Sequence, residues 1–232
     1  MNERQILDVF GKVGAIIIDS HIVYTSGKHG TAYVNKDALY PHTRETSQLC
    51  AEIAEQFADL GVKVVVAPAV GGVILSQWVA FHLTKITGRD VLGVYAERET
   101  SSFLHPDSVG KLDGPTKIAY EETGKFVIKR GYDKLVRGQK VLVVEDVINT
   151  GHSIDKTIKA ARASGGDIVG AGALCNRGGT KPEHLEISRL DSLVNIKMDA
   201  WDEKDCPLCK QGIPINTDVG HGRAFLAQKK AA

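Results

Sequence analysis

The run Lys140-Val-Leu-Val-Val144, the polar turn behind it and a helical pattern from about Ser153 to Ser164 constrain this chain more than any other feature. Gly165-Gly166 stops the helix, and a second apolar run, Ile168 to Leu174, follows at once. Two β-branched runs joined by one helix lie parallel, because a crossover needs a dozen or more residues whereas a hairpin needs only a few. The same rhythm recurs upstream. Pro41 to Leu60 carries Leu49, Ile53, Phe57 and Leu60 on one helical face. Lys63-Val-Val-Val-Ala67 reads as a buried strand, and Val73 to Leu83 as a helix with Ile74, Trp78 and His82 on one side. Val91 to Tyr95 and Leu193 to Ile196 add two shorter strands. The expected class is α/β, a mostly parallel twisted sheet flanked by helices.

The 232 residues and 25.0 kDa suit one domain spanning 1–232. Residues 100–124 break the rhythm with Ser, His, Pro, Asp, Gly and Lys in no countable period, so they read as a long loop insertion. A net charge of +1 offers no field that would draw the chain to nucleic acid or an anionic membrane. The most apolar stretch, Val64 to Leu75, contains Pro68, Gly71 and Gly72 and is too short to span a bilayer. The first residues lack a signal-peptide pattern, and four cysteines are too few for a disulfide scaffold. A cytoplasmic protein is expected.

Chemistry converges on Val141-Leu-Val-Val-Glu-Asp-Val-Ile-Asn-Thr-Gly-His-Ser153. Ligands of an open parallel sheet bind beyond the carboxyl ends of its strands. The turn Asn149 to Ser153 supplies backbone N–H groups, hydroxyls and a helix amino end, a set suited to a phosphate monoester. Glu145 and Asp146 would repel that anion unless they face a sugar diol or a divalent cation. Phosphate and diol together describe a ribose 5-phosphate. There is no G-x-x-x-x-G-K-[ST] stretch, and Gly170-Ala-Gly-Ala lacks the third glycine of a dinucleotide fingerprint.

Val-Val-Glu-Asp-Val-Ile-Asn-Thr-Gly-His-Ser resembles the phosphoribosyl-pyrophosphate signature of the type I phosphoribosyltransferases. Thr25 to Lys36 resembles the amino-terminal substrate segment of the orotate phosphoribosyltransferases within that family. Ala67-Pro-Ala-Val-Gly-Gly72 resembles their pyrophosphate loop, Tyr95 to Glu99 the start of a mobile loop and Phe126 to Gly131 its return. Cys206-Pro-Leu-Cys-Lys-Gln-Gly-Ile-Pro214 is similar to the tail of one subgroup.

The resemblance implies a small hood built from the amino-terminal segment and the tail. It also implies transfer of the phosphoribosyl group to orotate, giving orotidine 5′-monophosphate, with magnesium accompanying the sugar pyrophosphate, and a homodimer. By the family's pattern Glu145 and Asp146 hold the ribose hydroxyls, and the sugar-phosphate site runs on through Val147, Ile148, Asn149, Thr150, Gly151, His152 and Ser153. Val70, Gly71 and Gly72 take the pyrophosphate. Arg177 pairs with the orotate carboxylate through two parallel hydrogen bonds, and Tyr33, Val34 and Asn149 line the base. Asn149 stands where the family usually has threonine, which leaves uracil or a purine open as the base, as well as a regulator that binds the sugar pyrophosphate without turnover. Some relatives carry lysine where Gly71 stands, and Arg98 partly replaces that cation. Lys129 and Arg130 are the preferred basic residues of the closing loop over Lys111, Lys117 and Lys125, with His105 a weaker candidate.

Cys206-Pro-Leu-Cys209 offers two thiolates, with His221 as a third donor at best, and a closed zinc site needs four. No protein-held metal is therefore expected, and the tail reads as a packing segment.

Overall fold

A computed structural model describes residues 1–24, 26–104, 118–196 and 199–231. The chain opens with α1 (Glu3–Lys12), β1 (Ile16–Ile17), β2 (Ile22–Val23), β3 (His29–Gly30), β4 (Tyr33–Val34), α2 (Lys36–Leu39) and α3 (Thr43–Phe57). The central part runs β5 (Val64–Pro68), α4 (Gly72–Thr87), β6 (Leu92–Leu104), β7 (Ile118–Val127), α5 (Tyr132–Val136) and β8 (Lys140–Ile148). Then come α6 (His152–Ala163), β9 (Asp167–Asn176), β10 (Leu190–Asn195), α7 (Pro207–Lys210) and α8 (Gly222–Ala231).

Six strands form the main sheet in the order β10-β9-β8-β5-β6-β7, parallel except for β7. Alternate residues of β5 and β8 serve two cores. Val65, Ala67, Leu142 and Val144 pack with α1, α3 and α4, while Val64, Val66, Val141 and Val143 pack with Ile154 and Ile158 of α6. Burial on both faces is why these strands read as unbroken apolar runs. Gly170 and Gly172 of β9 leave room for α3: a Cβ at either would stand 2.9 Å from Phe57 or Ile53. Their spacing serves packing.

Ile74, Trp78 and His82 do share a side of α4, but not its buried one, and one expectation is corrected. The buried row of α4 is Leu75, Val79 and Leu83; Ile74 is exposed, and Trp78 and His82 are half-buried with their rings stacked. Both rows are apolar in sequence, so periodicity alone could not phase the helix. Residues 100–104 and 118–124 are not loop but the outer part of the antiparallel ribbon β6–β7, paired from Glu97↔Val127 to Leu104↔Ile118. Both faces of this ribbon are largely exposed, so it lacks the inside–outside alternation that marks a strand. His105, Lys111 and Lys117 lie outside the described residues.

The expected hood is present. β1 pairs with β4 and β2 with β3, and the tail joins them through bridges His21↔Ile215 and His29↔Trp201. It also corrects the reading of the cysteine pair. Cys206 and Cys209 meet His21 and His29, not His221, so four donors converge where two thiolates and one distant histidine were counted.

Candidate active site

The connection β5–α4–β6 leaves to one side of the sheet and β8–α6–β9 to the other. Their divergence opens a crevice at the carboxyl ends of β5 and β8, the usual place for a ligand in such a sheet. Residues 69–71 and 149–151 form its two lips.

Glu145 and Asp146 close β8 and are both buried. Asp146 holds three donors: Oδ2 accepts from Tyr40 Oη at 2.8 Å and from Lys36 Nζ at 2.8 Å, and Oδ1 accepts from Val147 N at 2.7 Å. Burial and the neighbouring acids push the Tyr40 hydroxyl far above its ordinary range, so it stays a donor. Burial alone would lower the Lys36 ammonium, but the hydrogen bond and charge of Asp146 outweigh it and raise its pKa. Glu145 Oε1 accepts from Asp146 N at 3.1 Å, whereas its buried Oε2 has no hydrogen-bond partner. Burial first and the Asp146 charge second push the Glu145 carboxyl above the usual carboxylate range. Glu145 Oε2 is thus the one oxygen of the acid pair left without a partner among the described residues.

That imbalance carries a sign. The folded pKa of Glu145 lies above its unfolded value, so unfolding releases a proton between the two and stability falls as pH rises through that window. Glu145→Gln removes the slope. The variant should melt above the wild type by a margin that is absent below about pH 4.5, widens with pH and then levels off. Melting scans at several pH values check it, and a margin that shrinks with pH would contradict the assignment.

The turn after β8 is shaped for an anion. Gly151 precedes α6 at φ +78°, leaving the first N–H groups of the helix facing outward. Glu145, Val147, Ile148, Asn149, Thr150, Gly151, His152 and Ser153 line a small cavity of about 70 Å³ there. The loop carrying Arg177 is locked onto the turn. Arg177 N and Gly178 N donate to Ile148 O at 2.9 and 3.2 Å. Asn176 Nδ2 donates to Thr180 O at 2.8 Å, and its Oδ1 accepts from Thr180 N at 3.2 Å.

Tyr33, Val34, Asn149 and Arg177, read from sequence as base-lining residues, lie around one cavity of about 520 Å³ with Tyr24, Ser26, Gly220 and His221 of the hood. A narrower space shares those four residues and adds Lys36, Asp37 and Asp146. It leads to a cavity of about 490 Å³ bounded by Lys36, Val70, Gly71, Gly72, Arg98, Glu145, Asp146 and Ser153. The groove therefore runs from Arg177 past the acid pair to the glycine loop.

Arg98 reaches the groove from β6 while paired with Glu122 Oε2 at 2.9 Å. Lys129 and Arg130 are exposed and line none of these cavities; Arg130 pairs with Glu97 at 2.7 Å. Lys36 and Tyr40 were missed as site residues, although Lys36 ends the motif Tyr33-Val-Asn-Lys36.

Comparison with known proteins defines the class first. The phosphoribosyl transferase domain model matches residues 35–205, and the chain belongs to that family. Within it, the chain is 35% identical over 214 residues to the orotate phosphoribosyltransferase of Desulforamulus reducens, covering 92% of this chain and 95% of that one. The enzyme of the same name from Pelotomaculum thermopropionicum is also 35% identical over 214 residues, with the same coverage. Among solved structures, orotate phosphoribosyltransferase of Mycobacterium tuberculosis superposes with a TM-score of 0.58 at 20% identity, over 84% of this chain and 96% of that one. That likeness shows the fold.

Proposed function

We propose that this protein transfers the phosphoribosyl group of phosphoribosyl pyrophosphate to orotate, forming orotidine 5′-monophosphate and pyrophosphate for pyrimidine synthesis. The observation that carries the reading is the position of Arg177 in the 520 Å³ cavity with Tyr33, Val34 and Asn149, continuous with the acid pair. A guanidinium there takes the orotate carboxylate by two parallel hydrogen bonds, and the Tyr33 ring offers a flat wall. Glu145 and Asp146 accept from the ribose hydroxyls and fix the anomeric carbon; the turn 149–153 grips the 5-phosphate. Rate enhancement then comes from position and charge, since the base attacks as its own ring anion and neither acid need move a proton. Closure of the crevice by a basic segment carrying Lys129 and Arg130 excludes water.

Lys36 and the backbone of Gly71-Gly72 face the departing pyrophosphate beside Arg98. Magnesium bound with that substrate would supply charge neutralisation of the leaving group. The residues present fit the ion, because Glu145 and Asp146 bound the same cavity as the glycine loop and would supply carboxylate oxygens toward it. A homodimer is supported by the exposed Ile74, Phe81 and Ile86 of α4; sedimentation at twice the 25.0 kDa chain mass checks it. No helix among the described residues is long and apolar enough to cross a membrane. Four free cysteines suit the reducing cytoplasm.

Orotate consumption followed spectrophotometrically with phosphoribosyl pyrophosphate and magnesium tests the proposal. The wild type should turn over, and Arg177→Ala should lose about 10²-fold or more in kcat/KM for orotate while still binding the sugar pyrophosphate in calorimetry. No turnover of orotate, with exchange on uracil, xanthine or hypoxanthine instead, would shift the reading to another base. The asparagine at 149 makes that the specific alternative.

A further inference from the structure

We propose that His21, His29, Cys206 and Cys209 form a structural zinc site that fastens the hood. His21 Nε2, His29 Nδ1 and the two Sγ atoms all lie within 4.8 Å of one another. The two nitrogens are 2.9 Å apart, and nitrogen–sulfur separations are 3.3 Å for His29–Cys209, 3.6 Å for His21–Cys206 and 3.7 Å for His21–Cys209. A tetrahedral zinc with ordinary bond lengths places two nitrogens about 3.3 Å apart and nitrogen about 3.5 Å from sulfur. The four atoms already stand close to the corners of that polyhedron.

The surroundings suit a closed site. His21, His29 and Cys206 are buried, and Cys209 is half-buried. His21 Nδ1 lies 2.7 Å from Ile213 O, which requires it to carry the proton and leaves Nε2 as a lone pair aimed at the cluster. Cys209 N donates to Cys206 Sγ at 3.4 Å, a contact that stabilises a thiolate. Without a metal, the short His21–His29 contact satisfies one proton only, and the two thiols have no better contacts than those above. With it, zinc displaces a proton from each thiol to solvent; two thiolates, two neutral imidazoles and Zn²⁺ sum to zero charge, which suits a buried position.

The site also answers a stability problem. β2 and β3 are two residues each, too short to hold a register alone, and the tail meets them through single bridges. Small substructures with little core need such a staple. All four donors fall outside the matched family segment of residues 35–205, and none of them lines the substrate cavities described above. It holds the hood whose Tyr24, Gly220 and His221 wall the 520 Å³ cavity.

The test is metal analysis of the full-length protein purified under reducing conditions, followed by exchange with Co²⁺. One zinc per chain is expected, with the visible absorption of tetrahedral cobalt–thiolate coordination after exchange and a lower melting temperature after chelation. Cys209→Ser and His21→Gln should lose the zinc, while Cys175→Ser should keep it. If the ligand variants do not fold, the wild-type zinc ratio and cobalt spectrum still decide. A folded wild type that neither contains nor takes up zinc would overturn the site, as would a Cys206–Cys209 disulfide or another transition metal bound in its place.

Discussion

Gly178→Ala should abolish transfer while Gly179→Ala, one residue along, should not. A Cβ at Gly178 would sit 1.4 Å from Asn149 O and 2.5 Å from its carbonyl carbon. Both are backbone atoms, so no rotamer change relieves the clash. Either residues 149–153 swing away or the 176–180 loop does, and each movement breaks the donation from Arg177 N and Gly178 N to Ile148 O. The turn proposed to hold the 5-phosphate and the arginine proposed to bind the base are lost together. A misplacement of about 1 Å is enough for roughly 10²-fold, and here both ends of the substrate are affected, so about 10³-fold or more in kcat/KM is expected. At Gly179 a Cβ meets nothing within 4 Å, and φ of +65° costs only about 1 kcal/mol for alanine. Kinetics with calorimetric binding of phosphoribosyl pyrophosphate separates the two. Near-wild-type activity in Gly178→Ala would mean that the two loops are not coupled.

What could be read from sequence was local. Strand β8, the turn and α6 were legible because apolar period, acid pair, glycine and hydroxyls follow one another within 25 residues, and each follows from backbone chemistry. Arg177 came only from the resemblance to the family's pattern; nothing in its local spacing marks it out. The ribbon β6–β7 was not legible, because a strand exposed on both faces leaves no alternating pattern. Neither were the long-range meetings. Tyr40 reaches Asp146 across 106 residues, and His21 reaches Cys206 across 185. Each partner is ordinary in its own segment, and only the parallel sheet and the hood's closure on the tail bring them together. The histidines shared no spacing with the cysteine pair, so counting donors along the chain stopped at three.

Lys36→Met should separate the two halves of the substrate groove. The Lys36 ammonium is the cation nearest the glycine loop: it lies 2.8 Å from Asp146 Oδ2, and a Cβ at Gly71 would stand 2.9 Å from it. Its raised pKa keeps it charged throughout any practical assay range. Removing it leaves Asp146 with Tyr40 and Val147 N, so the carboxylate remains bonded but loses its counter-charge. The expected cost in stability is about 1–3 kcal/mol. The kinetic cost is larger, because the charge sits in the cavity proposed to take the departing pyrophosphate. A loss of about 10²–10³-fold in kcat/KM for phosphoribosyl pyrophosphate is expected, carried partly by kcat. Orotate affinity should change little, since Lys36 does not line the 520 Å³ cavity. Combining Lys36→Met with Asp146→Asn should restore part of the stability, because no carboxylate is left without its counter-charge, yet deepen the kinetic defect, because the acid proposed to hold the ribose loses its charge. Steady-state kinetics on the four members of this cycle, with melting temperatures, decides it. Unchanged pyrophosphate-substrate kinetics in Lys36→Met would remove the lysine from the reaction and leave it as a support for Asp146.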